Sequence, residues 1–400
     1  MPDVKTLPQY FKENGYHSAG AGKIHHHTWG SNPPCQWDEY KERISDNQWL
    51  RTNRLAHPSY EGKTPPVPEG YPFNGLKYQR SGGFDWGILD KKEDQYGDAV
   101  AVTCAIDFLN RKQEKPFFLA CGIYRPHLPW YAPKKYFDLY PLDQIKLPTV
   151  PDDDLNDIPP EGQKISKARR DAFDLVKSSG KWKEAVQAYL ASISFTDAQM
   201  GRLLDALEAG RHAENTVIVF WSDHGWHLGE KDHWYKFTLW EESTRVPFYI
   251  AGPGISKAGK VSRSVSLMDI YPTLIELCHL PEKPELDGRS LAPLLEDPLE
   301  EWPFPAITEY KPGQFAVRSE HWRYIRYQDG TEELYDHRLD PNEWNNLASD
   351  TNFTQVKKDH AQWIPETIAA PAPPESAYEV DWKPYTWKNK ATGKVVDGKR

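Results

Sequence analysis

The chain has 400 residues, a formal net charge of −9 and a hydrophobic fraction of 38%. That length holds one large α/β domain with an appendage, or two domains, and the apolar content suffices for a core. The acidic balance is not that of a nucleic-acid binder, and no apolar run reaches the length of a membrane span. Residues 1–15 lack the apolar stretch of a signal peptide. The four cysteines, Cys35, Cys104, Cys121 and Cys278, form no CxxC pair and no disulfide framework. The 16 tryptophans and 21 tyrosines supply aromatic faces, which suit sugar rings as well as cores.

Residues 7–15 have helical spacing, with Leu7, Tyr10 and Phe11, and Gly15 as a stop. His17 to Lys23 reads as a short strand running into a Gly-x-Gly turn. Residues 30–82 are rich in Pro, Gly, Asn and Tyr and predict a long irregular excursion. Gly97 to Arg111 predicts a helix with Ala101, Ala105, Ile106 and Leu109 on one face. Pro116 to Ile123 reads as a buried strand, followed by a proline- and charge-rich loop over 132–180. A helix is expected over 181–208 and strands over 216–220 and 246–250. Ser266 opens a Ser-x-Met-Asp string that leads into a helix with Pro272 near its first turn. Beyond Ala316 three short strands follow, with the hairpin signal Asp329-Gly330 between two of them, and then a helix over 353–365. Strand–helix alternation predicts a doubly wound, mostly parallel α/β domain over 1–310. A small antiparallel subdomain over 311–365 and a proline-rich tail over 366–400 complete the expected organisation.

Three strings carry chemistry. Trp221-Ser222-Asp223-His224-Gly225 ends the strand 216–220, where α/β sheets keep their reacting groups. An acidic cap in a loop is the plainer account of Asp223-His224 alone. Gly22-Lys23-Ile24-His25-His26-His27 places three adjacent histidines after the first strand; no regular structure turns all three to one point, so at most two serve a site, and taken alone the cluster reads as a surface loop or an adventitious metal patch. Arg125-Pro126-His127-Leu128-Pro129 stiffens the backbone on both sides of His127, which by itself is either a packed histidine or one aimed at a ligand. Lys231, Asp232, His233 and Lys236 crowd behind the first string.

Together these strings resemble the sulfatases of the alkaline-phosphatase superfamily, and within them the iduronate-2-sulfatase-like branch. Phe84-Asp85-Trp86-Gly87, Asp197-Ala198-Gln199-Met200-Gly201, Met268 to Leu274 and Glu333-Leu334-Tyr335-Asp336 add weaker matches along residues 1–350. The resemblance implies an alkaline-phosphatase-like fold and a sulfuric ester hydrolase acting on a sulfated saccharide. It assigns Lys23 and Lys236 to the sulfate, although Lys236 alone reads equally as a solvated lysine. It assigns His26 to the nucleophile at the iduronate-type spacing, with His25 selected by the shorter spacing. His127 would protonate the leaving alcohol oxygen, work suited to a group that titrates near neutrality. Asp223 and His224 would be two ligands of one divalent cation, calcium in the family. Calcium prefers oxygen donors, so a histidine leaves softer metals open. His25, His227, Lys231 and His233 are secondary candidates for substrate carboxylates or hydroxyls. A periplasmic or secreted location goes with the family.

One expected part is missing. The family's nucleophile is formylglycine, made from a Cys-x-Pro-x-Arg motif, and none of the four cysteines has proline two places on. No serine version occurs, and the strand that ends in paired metal-binding aspartates is also missing. Met1 to Phe11 resembles a segment that lies downstream of the nucleophile in relatives. The expectation is a chain that lacks the N-terminal formylglycine segment, has an incomplete cation site and is inactive alone, with the missing segment as a partner. Two rivals stand beside it. One is a non-catalytic sulfatase-like fragment or binding protein. The other is a phosphodiesterase or phosphonate hydrolase of the same superfamily.

Overall fold

A computed structural model describes residues 4–25, 33–47, 49, 66–80, 83–255, 259–371, 377–381, 383 and 385–399. They belong to two compact units. The first is Met1–Leu147, Ser179–Ala213 and Ala372–Arg400, and the second is Pro148–Ser178 and Glu214–Pro371. The chain leaves the first unit twice and returns to it, so the units differ from the division expected near residue 310.

In the first unit β1 (His17–Gly22) lies between β2 (Glu39–Glu42) and β4 (Phe117–Gly122), all parallel. Small residues make this possible: Ser18-Ala19-Gly20-Ala21 in β1 are buried. The strand can therefore take helices close on its faces. The helix Gly97–Asn110 buries Ala101, Ala105 and Leu109 of the predicted face, leaves Ile106 half-buried, and also buries Ala99, Val102 and Phe108. The 27-residue helix Trp182–Glu208 buries Ala185, Ala188, Ala191 and Phe195. Phe195 joins Leu89, Tyr96, Tyr131 and Tyr136 in one core cluster. A short parallel pair, β3 (Trp86–Gly87) with β5 (Trp130–Tyr131), borders that core. Tyr378–Asp381, Thr386–Asn389 and Val395–Asp397 form an antiparallel sheet, β14 to β16, where a tail was expected.

The second unit opens with two helices, Pro160–Lys167 and Arg170–Ser178, inside the stretch that composition assigned to loop. Arg170–Ser178 turns only Ala172, Phe173 and Val176 inward, too brief an apolar face to stand out among the surrounding charges. β6 (Ile218–Trp221) pairs antiparallel with β9 (Phe248–Ala251), and β7 (His227–Leu228) pairs antiparallel with β8 (Trp234–Tyr235). In the antiparallel sheet β10 (Ala306–Glu309), β11 (Phe315–Arg318), β12 (Trp322–Arg326) and β13 (Glu332–Asp336), the last three strands match the three predicted, with Asp329-Gly330 in the β12–β13 turn, and β10 is an addition. Ser266 caps the turn 267–269 by accepting from Met268, while Asp269 accepts from the Ser266 N–H at 2.7 Å. Among the described residues no helix is long and apolar enough to cross a membrane.

β1 and β4 run in register to their last residues, Gly22 opposite Gly122. The Lys23 N–H then donates to the Gly122 carbonyl at 2.8 Å. Gly22 has φ +83°, and a Cβ there would collide with the Gly122 carbonyl oxygen. A Cβ on Gly122 would collide with the Lys23 backbone in turn. Gly22→Ala therefore adds left-handed strain to a backbone clash, and should cost about 3 kcal/mol. The measurement is the urea unfolding midpoint, and a midpoint equal to wild type would refute the close strand ends.

Candidate functional site

Each unit carries part of the predicted chemistry, beginning in the first with Lys23. Because β1 and β4 are parallel and end together, the loops after Gly22 and Gly122 leave the same end of the sheet. That brings the Lys23 segment and the His127 segment out side by side. Lys23 is half-buried, its backbone fixed by the two glycines. His25 places Nε2 3.0 Å from Gln36 Oε1. Burial pushes its imidazole below the usual range, and the Gln36 contact offsets part of that. His26, the favoured active-site histidine, lies outside the described residues.

His127 sits in a turn held by several bonds. Its N–H donates to the Tyr124 carbonyl at 3.1 Å. Its Nδ1 lies 2.7 Å from the Leu128 carbonyl, so Nδ1 carries a proton. The Tyr124 hydroxyl donates to that same carbonyl at 3.1 Å, and the Tyr124 and His127 rings lie 4.7 Å apart. Trp130 Nε1 donates to the Pro126 carbonyl at 2.6 Å. At the head of the turn Arg125 is buried between two carboxylates, 2.6 Å from Asp98 and 2.6 Å from Asp46. Burial alone would raise the Asp46 carboxyl, but Arg125 and Lys91 hold it below the usual range.

In the second unit Asp223 and His224 follow β6 directly. Gly225 is pressed against the short helix Glu241–Thr244: its N–H donates to Ser243 at 2.8 Å, and a Cβ would strike the Glu242 carbonyl. His224 Nδ1 lies 2.8 Å from the Gly225 carbonyl, which commits that nitrogen as donor. Its Nε2 is then the acceptor, 3.8 Å from Asp223 Oδ1, on a carboxylate that is 48% exposed. A carboxylate oxygen and an imidazole lone pair at that separation fit two ligands of one divalent cation. The ring of Trp226 joins this pair to Lys236. Its centroid is 6.1 Å from the His224 ring and 5.3 Å from the Lys236 ammonium.

A family model described as Sulfatase matches residues 1–280, and one described as N-sulphoglucosamine sulphohydrolase, C-terminal, matches residues 229–369. The chain belongs to the sulfatase family. A sulfatase of Formosa agariphila is 39% identical over 399 residues, which is 98% of this chain and 75% of the relative. Human iduronate 2-sulfatase is 34% identical over 271 residues, 62% of this chain and 46% of the human protein. A protein solved with its substrate D-glucosamine-2-N,6-O-disulfate has a TM-score of 0.64 at 20% identity, covering 90% of this chain and 81% of that one. The sulfatase thus has the alkaline-phosphatase-like α/β fold that its motifs implied, with antiparallel strands toward the C-terminus.

Three of the secondary candidates are interior residues of this sulfatase. His227 is buried, with Nδ1 3.1 Å from the Glu230 carbonyl and Nε2 2.8 Å from Thr238 Oγ1. Burial, helped by the neighbouring His233, pushes it well below the usual histidine range. His233 faces two carbonyl oxygens, of Ser166 and of Lys236, each at 2.9 Å. Burial lowers it too, so one of those contacts carries no proton when the ring is neutral. Lys231 is buried on Asp154 at 2.6 Å and donates to the Glu343 carbonyl. These three bind protein rather than face outward. The crowding of basic residues behind Asp223 reflects packing against residues 154–166 and 343.

Sequence reading missed Asp46, Asp98 and Trp226. Only Trp226 had a signal, its place two residues after His224. A second group the motifs did not indicate is Glu241, His337 and Glu343, whose donor atoms lie within 4.8 Å of one another. Arg323 bonds both carboxylates, reaching Glu343 at 2.5 Å, and Arg318 approaches Glu241 at 3.3 Å. Burial would raise Glu343, yet Arg323 and His337 bring it down to about 2. The cluster is balanced by arginines and needs no cation.

Glu242, beside Gly225, lines an open pocket with Asp154, Glu230 and Trp344. Burial, with Glu343 and Glu230 nearby, pushes its carboxyl up to about 8. The folded chain therefore holds a proton that the unfolded chain releases near pH 4.5. Stability from this group is full below the unfolded value and falls as pH rises toward 8. Glu242→Gln should remove that slope and stabilise the protein at pH 8 by on the order of 4 kcal/mol. Parallel melting curves of variant and wild type from pH 5 to 8 would contradict it.

Proposed function

We propose that this sulfatase acts on the sulfate ester of a sulfated saccharide. The conclusion is carried by the His127 turn, emerging beside the Lys23 segment at one end of the sheet. Likeness to iduronate 2-sulfatase supports a sugar substrate. Lys23 and Lys236 are assigned to the sulfate, whose non-bridging oxygens gather negative charge as the ester breaks. His25 or His26 completes that contact. A divalent cation held in part by Asp223 and His224, calcium by family, supplies further positive charge there when bound.

His127 is assigned the leaving oxygen. Its Nδ1–H is kept by the Leu128 carbonyl, so the imidazolium has one other proton to give, at Nε2. Giving it leaves the neutral Nδ1–H ring in an unchanged hydrogen bond. A carbonyl acceptor at Nδ1 also stabilises the charged ring before transfer.

No nucleophile is assigned within residues 1–400, because none of the four cysteines meets the Cys-x-Pro-x-Arg requirement. The groups present bind, hold and protonate, and a covalent step needs a nucleophile besides. Purified residues 1–400 are therefore expected to release no 4-nitrophenol from 4-nitrophenyl sulfate above a buffer blank. Release that Lys23→Ala abolishes would overturn this. Preferential turnover of a phenylphosphonate ester would replace sulfate with phosphonate as the substrate group.

A second expectation applies when the formylglycine segment is supplied, fused or in trans. His127→Ala should slow a sugar sulfate by about a hundredfold or more, and 4-nitrophenyl sulfate far less. The reason is that nitrophenolate leaves without a proton and a sugar alkoxide does not. Equal losses in kcat/KM on both esters would take His127 out of the acid role.

A further inference from the structure

The backbone of the His127 turn is tied to the helix Gly97–Asn110 through the carboxylate of Asp98. Asp98, in the first turn of that helix, is buried and makes three bonds to the residues that precede His127. Oδ1 accepts the Tyr124 N–H at 2.7 Å. Oδ2 accepts the Arg125 N–H at 3.4 Å and the Arg125 guanidinium at 2.6 Å. Tyr124 is then the hub of the turn. Its N–H is on Asp98, its carbonyl accepts the His127 N–H, its hydroxyl reaches the Leu128 carbonyl, and its ring lies against the imidazole. The Leu128 carbonyl is the acceptor that sets the His127 tautomer.

Asp46 grips the same arginine differently. It takes Arg125 Nη2 at 2.6 Å, the Gly97 N–H at 3.0 Å and the Lys91 ammonium, and makes no bond to Tyr124. The two carboxylates share one guanidinium but divide the work. Asp46 joins the 43–47 loop and the helix start to Arg125. Of the two carboxylates, Asp98 is the one that bonds the backbone of the turn.

The geometry points to Asp98 as a positioning residue that sets the orientation and tautomer of His127 through Tyr124. This rests on the reading of His127 as the proton donor, but the test does not need turnover. The chain of residues 1–400 is labelled with 15N-histidine, and the His127 ring signals are identified by their loss in His127→Gln. Wild type should show the widely separated nitrogen shifts of one Nδ1–H tautomer at pH above the ring's titration. In Asp98→Asn the two shifts should move toward each other, as the loosened ring averages its tautomers. Asp46→Asn, which also breaks a buried ion pair of Arg125, should leave them apart.

Unmoved shifts in Asp98→Asn would overturn the proposal. So would equal movement in Asp46→Asn, since that would be general loosening. If Asp98→Asn fails to fold, Asp98→Glu keeps the charge for Arg125 and misplaces the two backbone contacts by a methylene. The same convergence is then expected, and its absence overturns the proposal. Loss of the leaving-group effect in His127→Ala would remove only the acid role, leaving the shifts to decide the positioning.

Discussion

The first unit depends on a guanidinium kept out of water. Arg125 has almost no exposure, and its charge is met by Asp98 and Asp46 on two other segments. Burying such an ion is expensive, and removing one partner from a buried pair typically costs on the order of 3–5 kcal/mol. That penalty makes the arrangement specific. The 43–47 loop, the start of the helix Gly97–Asn110 and the turn after β4 reach low energy only when all three converge on one side chain. A histidine on a proline-flanked turn is thereby held by buried ion pairs, although it lies between elements.

The second unit uses the same kind of device around its own loops. Lys231 is buried on Asp154, and Arg323 is buried between Glu241 and Glu343. Glu333 accepts from Tyr327, Tyr335 and Trp240 at 2.5, 2.6 and 2.8 Å. These groups bind the sheet β10–β13 to the segment 230–243, which presses on Gly225. Asp223 and His224 are thus placed by ionic packing some distance behind them. Apolar contact alone, being non-directional, would fix their positions less sharply.

What sequence made legible follows from these two kinds of constraint. The helices Gly97–Asn110 and Trp182–Glu208 bury regular apolar stripes, and periodicity exposes such stripes, whereas the strand Phe117–Gly122, expected to be buried, is half-buried at every position. The strings after β1, β4 and β6 could be found because chemistry at strand ends needs particular residue types at short range. Long-range partners leave no local trace. Asp46 and Arg125 are 79 positions apart, and nothing near either names the other. The same blindness misplaced His227, Lys231 and His233. Spacing told that basic residues were close to Asp223, but not that Ser166, Asp154 and Glu343 waited on their inner side. The helices of 160–178 were missed because their apolar faces are short and their charges many.

Gly22 and Gly122 have a consequence for variation. Each excludes a side chain because of the other's strand, so the two positions behave as one unit of substitution. Any drift toward a larger residue at either must first separate β1 from β4, which would also move the Lys23 and Tyr124 segments apart. The ends of these strands are therefore closed to gradual change. A larger side chain can be taken up beyond them without parting the two strands.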